Sequence, residues 1–325
     1  MTSGTVDGTA ALSIDMPQPI RTRNRAETDS APGDLLDMPG ISALAGAANV
    51  IMQLALPAVG YGVAESKVDT GNLFKHPIKR GRTTLSYLAV AVNGTPEDRK
   101  AYRKAVGHSH AQVRSTESSP VEYNAFDPRL QLWVAACLYK GWEDMQILYG
   151  DPSAITEEAY QQGALMGTTL QMPREMWPAT RADFQEYWDG TVAQLEIDDT
   201  IRGLLISIAK FEFLPKPVSM LIGDFGLFLT AGFLPPEFRE KMGLEWTPRQ
   251  QRLFDLHNRI VRSVVTRLPE PMRAFPFNAY LWDVRRGSGP AENSSSRVVP
   301  SSTPPATSRR CWCSRTVPAS GRARR

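Results

Sequence analysis

Three cysteines in 325 residues are too few and too unevenly placed for a disulfide framework. Cys137 stands in an apolar helical stretch and reads as a small core residue. Cys311-Trp312-Cys313 has a one-residue gap, too tight for an ordinary zinc knuckle. A reducing, cytoplasmic setting is the expectation. No glycine-rich phosphate loop follows a strand, no His-Glu-x-x-His occurs, and no serine stands in a Gly-x-Ser-x-Gly elbow. Glu157, Glu158, Asp183 and Glu186 have no histidine three residues on, so the ferritin-like di-iron pattern is absent too. Alternating β-branched runs bounded by turns are scarce, which argues against a sheet.

The formal charge of +3 hides two opposite parts. Residues 287–325 hold seven arginines and one glutamate, which is +6. The rest holds 30 basic and 33 acidic groups, which is −3. A mildly acidic body gives no electrostatic footprint for nucleic acid, and none is expected as a partner. No basic region followed by an apolar core opens the chain, so no signal peptide is expected. Residues 40–64 run 25 positions without a charge, enough in length for a membrane span of about 20 residues. Asn49, Gln53, Pro57, Gly60 and Gly62 interrupt that run, so it reads as a buried core helix broken near Pro57, and membrane association is not predicted.

Residues 1–35 are rich in Thr, Asp, Pro and Arg without apolar period and read as a disordered leader. Residues 36–286 read as one all-α domain of eight to twelve helices. Residues 287–325 are Ser, Pro, Arg and Ala with little to bury, and read as a disordered tail that resembles out-of-frame translation of GC-rich DNA. Helix starts are signposted by Thr95-Pro96-Glu97-Asp98, Asp127-Pro128, Asp151-Pro152, Thr180 and Thr247-Pro248. The spacing predicts helices over 96–114 and from 248 to about 268.

Four histidines are present: His76, His108, His110 and His257. Tyr102, Val106, Ser109 and Val113 mark an apolar stripe on the predicted helix 96–114. His110 lies at the edge of that stripe, whereas His108 points toward the side of Lys104. A core histidine bonded to a backbone carbonyl is the plain account of His110. Arg80 and Thr84 lie one turn apart, with Tyr87, Leu88 and Ala91 continuing the face inward. A guanidinium carried onto an apolar face needs an anionic partner. That partner is either a carboxylate such as Glu65 or an anionic ligand. Trp133, with Val134, Cys137 and Leu138, reads as core filler that could also pack a cofactor. A single inward histidine suits haem, the cofactor that needs one strong protein ligand.

Several segments taken in order resemble a known group. These are Gly60-Tyr61-Gly62-Val63-Ala64-Glu65, His76-Pro77, Lys79-Arg80, Arg82-Thr83-Thr84 and His110-Ala111-Gln112-Val113-Arg114. Pro120 to Pro128, Leu132-Trp133-Val134, Met172-Pro173, Met176-Trp177-Pro178 and Phe184-x-x-Tyr187-Trp188 continue the set. Together, over roughly residues 36–280, they are similar to the MpaB/latex-clearing oxygenase superfamily. That group includes the rubber oxygenases and the oxygenase that shortens a prenyl side chain in mycophenolic acid biosynthesis.

The resemblance implies a globin-like helical core holding one haem b, with His110 as the iron ligand. It implies Arg80 and Thr84 over the other haem face, donating to bound dioxygen or to a propionate, with Glu65 near the place of an acidic base. It implies dioxygen and an apolar, isoprenoid or lipid-like substrate as partners, and oxidative C=C cleavage as the reaction. A backbone carbonyl would hold the second nitrogen of His110. Thr83 replaces the lysine of rubber oxygenases, and Leu56 and Ala135 replace histidines found in many relatives, so rubber itself does not follow as substrate. The alternatives are a haem-binding sensor or carrier without turnover, and a cofactor-free helical scaffold in which Arg80 pairs with Glu65.

Overall fold

The computed structural model describes residues 39–288. Among these residues there is no β-strand; one isolated antiparallel bridge joins Arg114 to Asn124. The all-α expectation therefore holds. The first half carries α1 (Gly46–Leu54), α2 (Pro57–Ala64), α3 (Pro77–Asn93), α4 (Pro96–His110), α5 (Pro128–Tyr149), α6 (Glu157–Gly163) and α7 (Leu165–Thr168). The second carries α8 (Arg181–Gln194), α9 (Asp199–Ala209), α10 (Lys216–Phe233), α11 (Pro236–Lys241), α12 (Pro248–Val265), α13 (Glu270–Arg273) and α14 (Phe277–Asp283). The α-helices number fourteen among the described residues, above the expected range, and α7 and α13 are single turns of 4 residues. The leader, and the tail beyond Ser288 with Cys311 and Cys313, lie outside the described residues.

Local chemistry sets the helix starts. The Thr95 hydroxyl accepts from the Asp98 N–H at 3.1 Å and the Asp98 carboxylate accepts from the Thr95 N–H at 3.0 Å, a reciprocal capping box. Thr180 with Asp183 and Thr247 with Gln250 repeat it at α8 and α12. Asp127 caps α5 through the Arg129 N–H at 2.8 Å. Asp151-Pro152 departs from expectation: it opens a three-residue 3-10 turn, Pro152–Ala154. Two ends also differ, since α12 stops at Val265 and α4 stops at His110 instead of Arg114. After His110 the backbone turns, with the Val113 N–H on the His110 carbonyl at 2.9 Å. Beyond the turn, Ser115 donates to the Tyr123 carbonyl at 2.8 Å and Ala125 to the Val113 carbonyl at 3.0 Å. Pairing with residues 123–125 outcompetes one more helical turn.

The uncharged run from Gly40 folds as a 3-10 segment (Gly40–Ala45) followed by α1 and α2, with a bend of 110° at the break. Leu56 takes an extended ψ of 116° because the ring of Pro57 crowds the helical conformation of the residue before it. Ile51, Met52, Leu54 and Leu56 are buried, in line with a broken core helix. No single helix among the described residues is long and apolar enough to cross a membrane.

α5 runs through the core and packs against α1, α7 and α12. Its Trp133, Cys137, Tyr139 and Trp142 are buried, each large side chain contributing about 1.5–3 kcal/mol by leaving water. Cys137 is free, and burial pushes its thiol well up. Around Tyr139 sit Tyr160, Trp177 and Phe184, with ring centroids 5.2–5.8 Å away, mostly edge to face. A smaller cluster of Tyr87, Val90, Ala91, Tyr102 and Leu170 joins α3 to α4 and to the chain after α7. Three polar ties hold that corner. Tyr87 donates to the Met166 carbonyl, Tyr102 donates to the Thr83 carbonyl at 2.8 Å, and Arg82 pairs with Asp283 on α14.

Candidate functional site

α3 carries Arg80 and Thr84 one turn apart, and α4 brings His110 to the same corner in its last turn. Of the four histidines, His76 pairs with Asp69 at 3.1 Å, His257 lies 3.2 Å from the Asn258 side chain, and His108 is exposed. His110 is half-buried, its inward setting as expected. Its stripe differs: Arg99 and Tyr102 are buried on α4, whereas Ser109 is exposed.

The His110 Nδ1 atom is buried without a hydrogen-bond partner. The backbone carbonyl expected at the second ring nitrogen does not meet Nδ1 among the described residues. Burial lowers the imidazole pKa to about 4, and the charge of Arg80 adds to the effect. The ring is therefore neutral at pH 7, the state that coordinates a metal. The Phe126 ring meets it edge on, 6.5 Å between centroids and 71° between planes. Phe126 is held by its loop: its N–H donates to Asn124 Oδ1 at 3.0 Å, and Gln131 donates to the Ala125 carbonyl at 2.9 Å.

Arg80 is exposed on α3, and desolvation by the protein around its guanidinium lowers its pKa. The guanidinium has no carboxylate partner among the described residues. The Arg80–Glu65 pair of the scaffold reading does not form. Glu65 ends α2 and accepts from Ser119 at 2.6 Å and Tyr123 at 2.8 Å. The Thr84 hydroxyl donates to the Arg80 carbonyl at 3.1 Å, leaving only its lone pairs for a ligand.

Trp133 is 0% exposed, stacks on Trp188 at 5.2 Å, and donates its indole N–H to the Gln53 carbonyl at 3.1 Å. It presents no surface to an open space, so the core reading describes it and no contact with a cofactor is indicated. The site thus gathers Arg80, Thr84 and His110, with Glu65 and Trp133 engaged elsewhere. Phe126 was not among the residues singled out from the sequence, and the structure sets its ring against His110; the signal for it is the Asp127-Pro128 helix start that fixes the loop before α5. Among the described residues no group of three or more His, Cys, Asp or Glu could hold a metal ion. The corner holds an imidazole that feels the charge of Arg80, a cation without a carboxylate partner among the described residues.

Residues 35–263 match the family described as ER-bound oxygenase mpaB/B′ and rubber oxygenase, catalytic domain. Two uncharacterised proteins, of Mycobacterium bovis and Mycobacterium tuberculosis, are each 53% identical over 241 residues, covering 74% of this chain and 94% of the relative. No solved structure is significantly similar. With the match extending from before α1 to within α12, the chain belongs to the family of MpaB and rubber oxygenase catalytic domains.

Proposed function

We propose that this protein is a haem b-dependent oxygenase in which His110 is the iron ligand. The substrate is an apolar, alkene-bearing molecule of isoprenoid or lipid-like class, and the reaction is oxidative cleavage of its C=C bond. The observation that carries the reading is Arg80, a desolvated cation whose charge reaches the His110 imidazole, with no carboxylate for the one and no partner for Nδ1 of the other among the described residues. These residues fit haem, which asks for one imidazole and brings carboxylates that match a guanidinium.

When bound, haem supplies the activation of dioxygen and the oxidation of the alkene. The chain supplies the rest. Burial keeps the His110 imidazole neutral, so coordination displaces no proton near pH 7. Phe126 limits the rotation of that ring from its edge. Arg80 supplies a positive charge that the surrounding protein partly desolvates, which strengthens its attraction for an anion. Thr84 contributes acceptor lone pairs only.

The test is an absorption spectrum of the purified, haem-supplemented protein beside His110→Ala and His108→Ala. The wild type and His108→Ala should show a Soret band, and His110→Ala should lose or shift it. No band in the wild type, or a full-strength band in His110→Ala, overturns the assignment. Dioxygen uptake with a polyprenyl alkene, and carbonyl-ended products by mass spectrometry, test the reaction.

A further inference from the structure

We propose that Arg103 is a second anion-binding residue of this site and takes one carboxylate of the bound haem; the inference rests on the haem reading above. Arg103, Gly107 and His110 follow at steps of four and three, so they share one face of α4. The helical rise sets Arg103 about 10 Å from His110 along the axis, a separation suited to the reach from a metal centre to a carboxylate on the rim of a macrocycle.

Arg103 Nε is buried without a partner, and no described residue bonds the guanidinium. The carboxylates at this corner are committed. Asp98 caps α4 and holds Arg285 at 3.1 Å, Asp283 holds Arg82, and Glu65 serves Ser119 and Tyr123. Arg99, one turn before Arg103, spends a nitrogen on the Gly94 carbonyl at 2.6 Å. Arg80 and Arg103 thus form a pair of cations without anions, on the two helices joined by the Tyr102 bond to Thr83. Haem carries two carboxylates.

Between Arg103 and His110 this face carries Gly107, which has no side chain. A Cβ at Gly107 would come within 3.0 Å of Gln171 Nε2. Gln171 adopts φ 92°, a conformation rare for residues other than glycine, and its carboxamide lies against α4 at Gly107. The charge of Arg103 is also felt by the buried Tyr87 phenol, which places it on the α3 side of α4.

The experiment is a titration of the haem-free protein with haem and with haem dimethyl ester, followed by Soret absorbance. The wild type should bind haem at least tenfold more tightly than the ester. Arg103→Met should weaken haem binding about tenfold and leave ester binding unchanged, while Arg82→Met keeps the wild-type preference. Arg103→Lys should recover part of the loss. Arg103→Gln makes the same comparison should Arg103→Met fail to fold, as judged by circular dichroism. A haem-to-ester ratio in Arg103→Met or Arg103→Gln equal to that of the wild type overturns the role of Arg103 while the haem reading stands. A wild type that binds neither compound overturns both.

Discussion

Tyr123 donates its phenol proton to Glu65 across 2.8 Å, joining the loop after α4 to the end of α2. Ser119 donates to the same carboxylate oxygen at 2.6 Å, and Arg80 has no carboxylate partner among the described residues. Tyr123→Phe should lower stability by about 1 kcal/mol, the usual net worth of such a bond, in urea denaturation. Glu65→Gln should leave the Soret band unchanged. A lost or displaced band in Glu65→Gln would return Glu65 to the site.

Arg80 and Arg82 stand two residues apart on α3 and should respond in opposite ways. Arg82 is half-exposed and paired with Asp283, so Arg82→Met should cost about 0.5–1 kcal/mol and leave haem binding intact. Arg80→Met removes a desolvated cation without a carboxylate partner among the described residues, and the haem-free protein should melt at the wild-type temperature or above it. Haem affinity or dioxygen reactivity should fall. Calorimetry of both variants, with and without haem, checks the crossing.

Trp133→Phe should keep the position and strength of the Soret band and cost about 1 kcal/mol, since the lost N–H leaves the Gln53 carbonyl unmet. Trp133→Ala should cost about 3–5 kcal/mol through the cavity left in the core. A band shift in Trp133→Phe with unchanged stability would place this residue against the cofactor.

Asp144 supplies a pH dependence away from the site. Desolvation raises its carboxyl from 3.8 to about 6, with Glu143 adding to the rise and Lys140, 4.0 Å away, opposing it. Between those two pH values the folded chain holds a proton that the unfolded chain has released. Stability from this group is therefore lost as pH rises through the window, and the penalty is complete above pH 6. Discounted for the 31% exposure of the side chain, Asp144→Asn should gain about 1 kcal/mol at pH 7.5 and little near pH 4. A gain of equal size at both pH values would remove the titration as its cause.

Helix starts were legible because a cap is a bond between residues three apart. Thr95 with Asp98, Thr180 with Asp183 and Thr247 with Gln250 need no knowledge of the rest of the chain. The inward turn of His110 and the outward turn of His108 follow in the same way from helical spacing. The end of α4 differs from expectation because pairing with residues 123–125 takes over, and α12 closes in local turns ahead of Pro269. His110 and Arg80 were legible as candidates, but their lack of partners was not.

Sequence alone determined the helical class, the caps, the break at Pro57 and the shared face of Arg80 and Thr84. All of these rest on backbone sterics and on bonds between near neighbours. Only the tertiary structure decided which carboxylate serves which donor. Glu65 meets Ser119 and Tyr123 across 54 and 58 positions, and Asp283 meets Arg82 across 201. Such pairings depend on where packed helices bring distant chain segments, and the same packing leaves Arg80 without a carboxylate and His110 Nδ1 without a partner among the described residues.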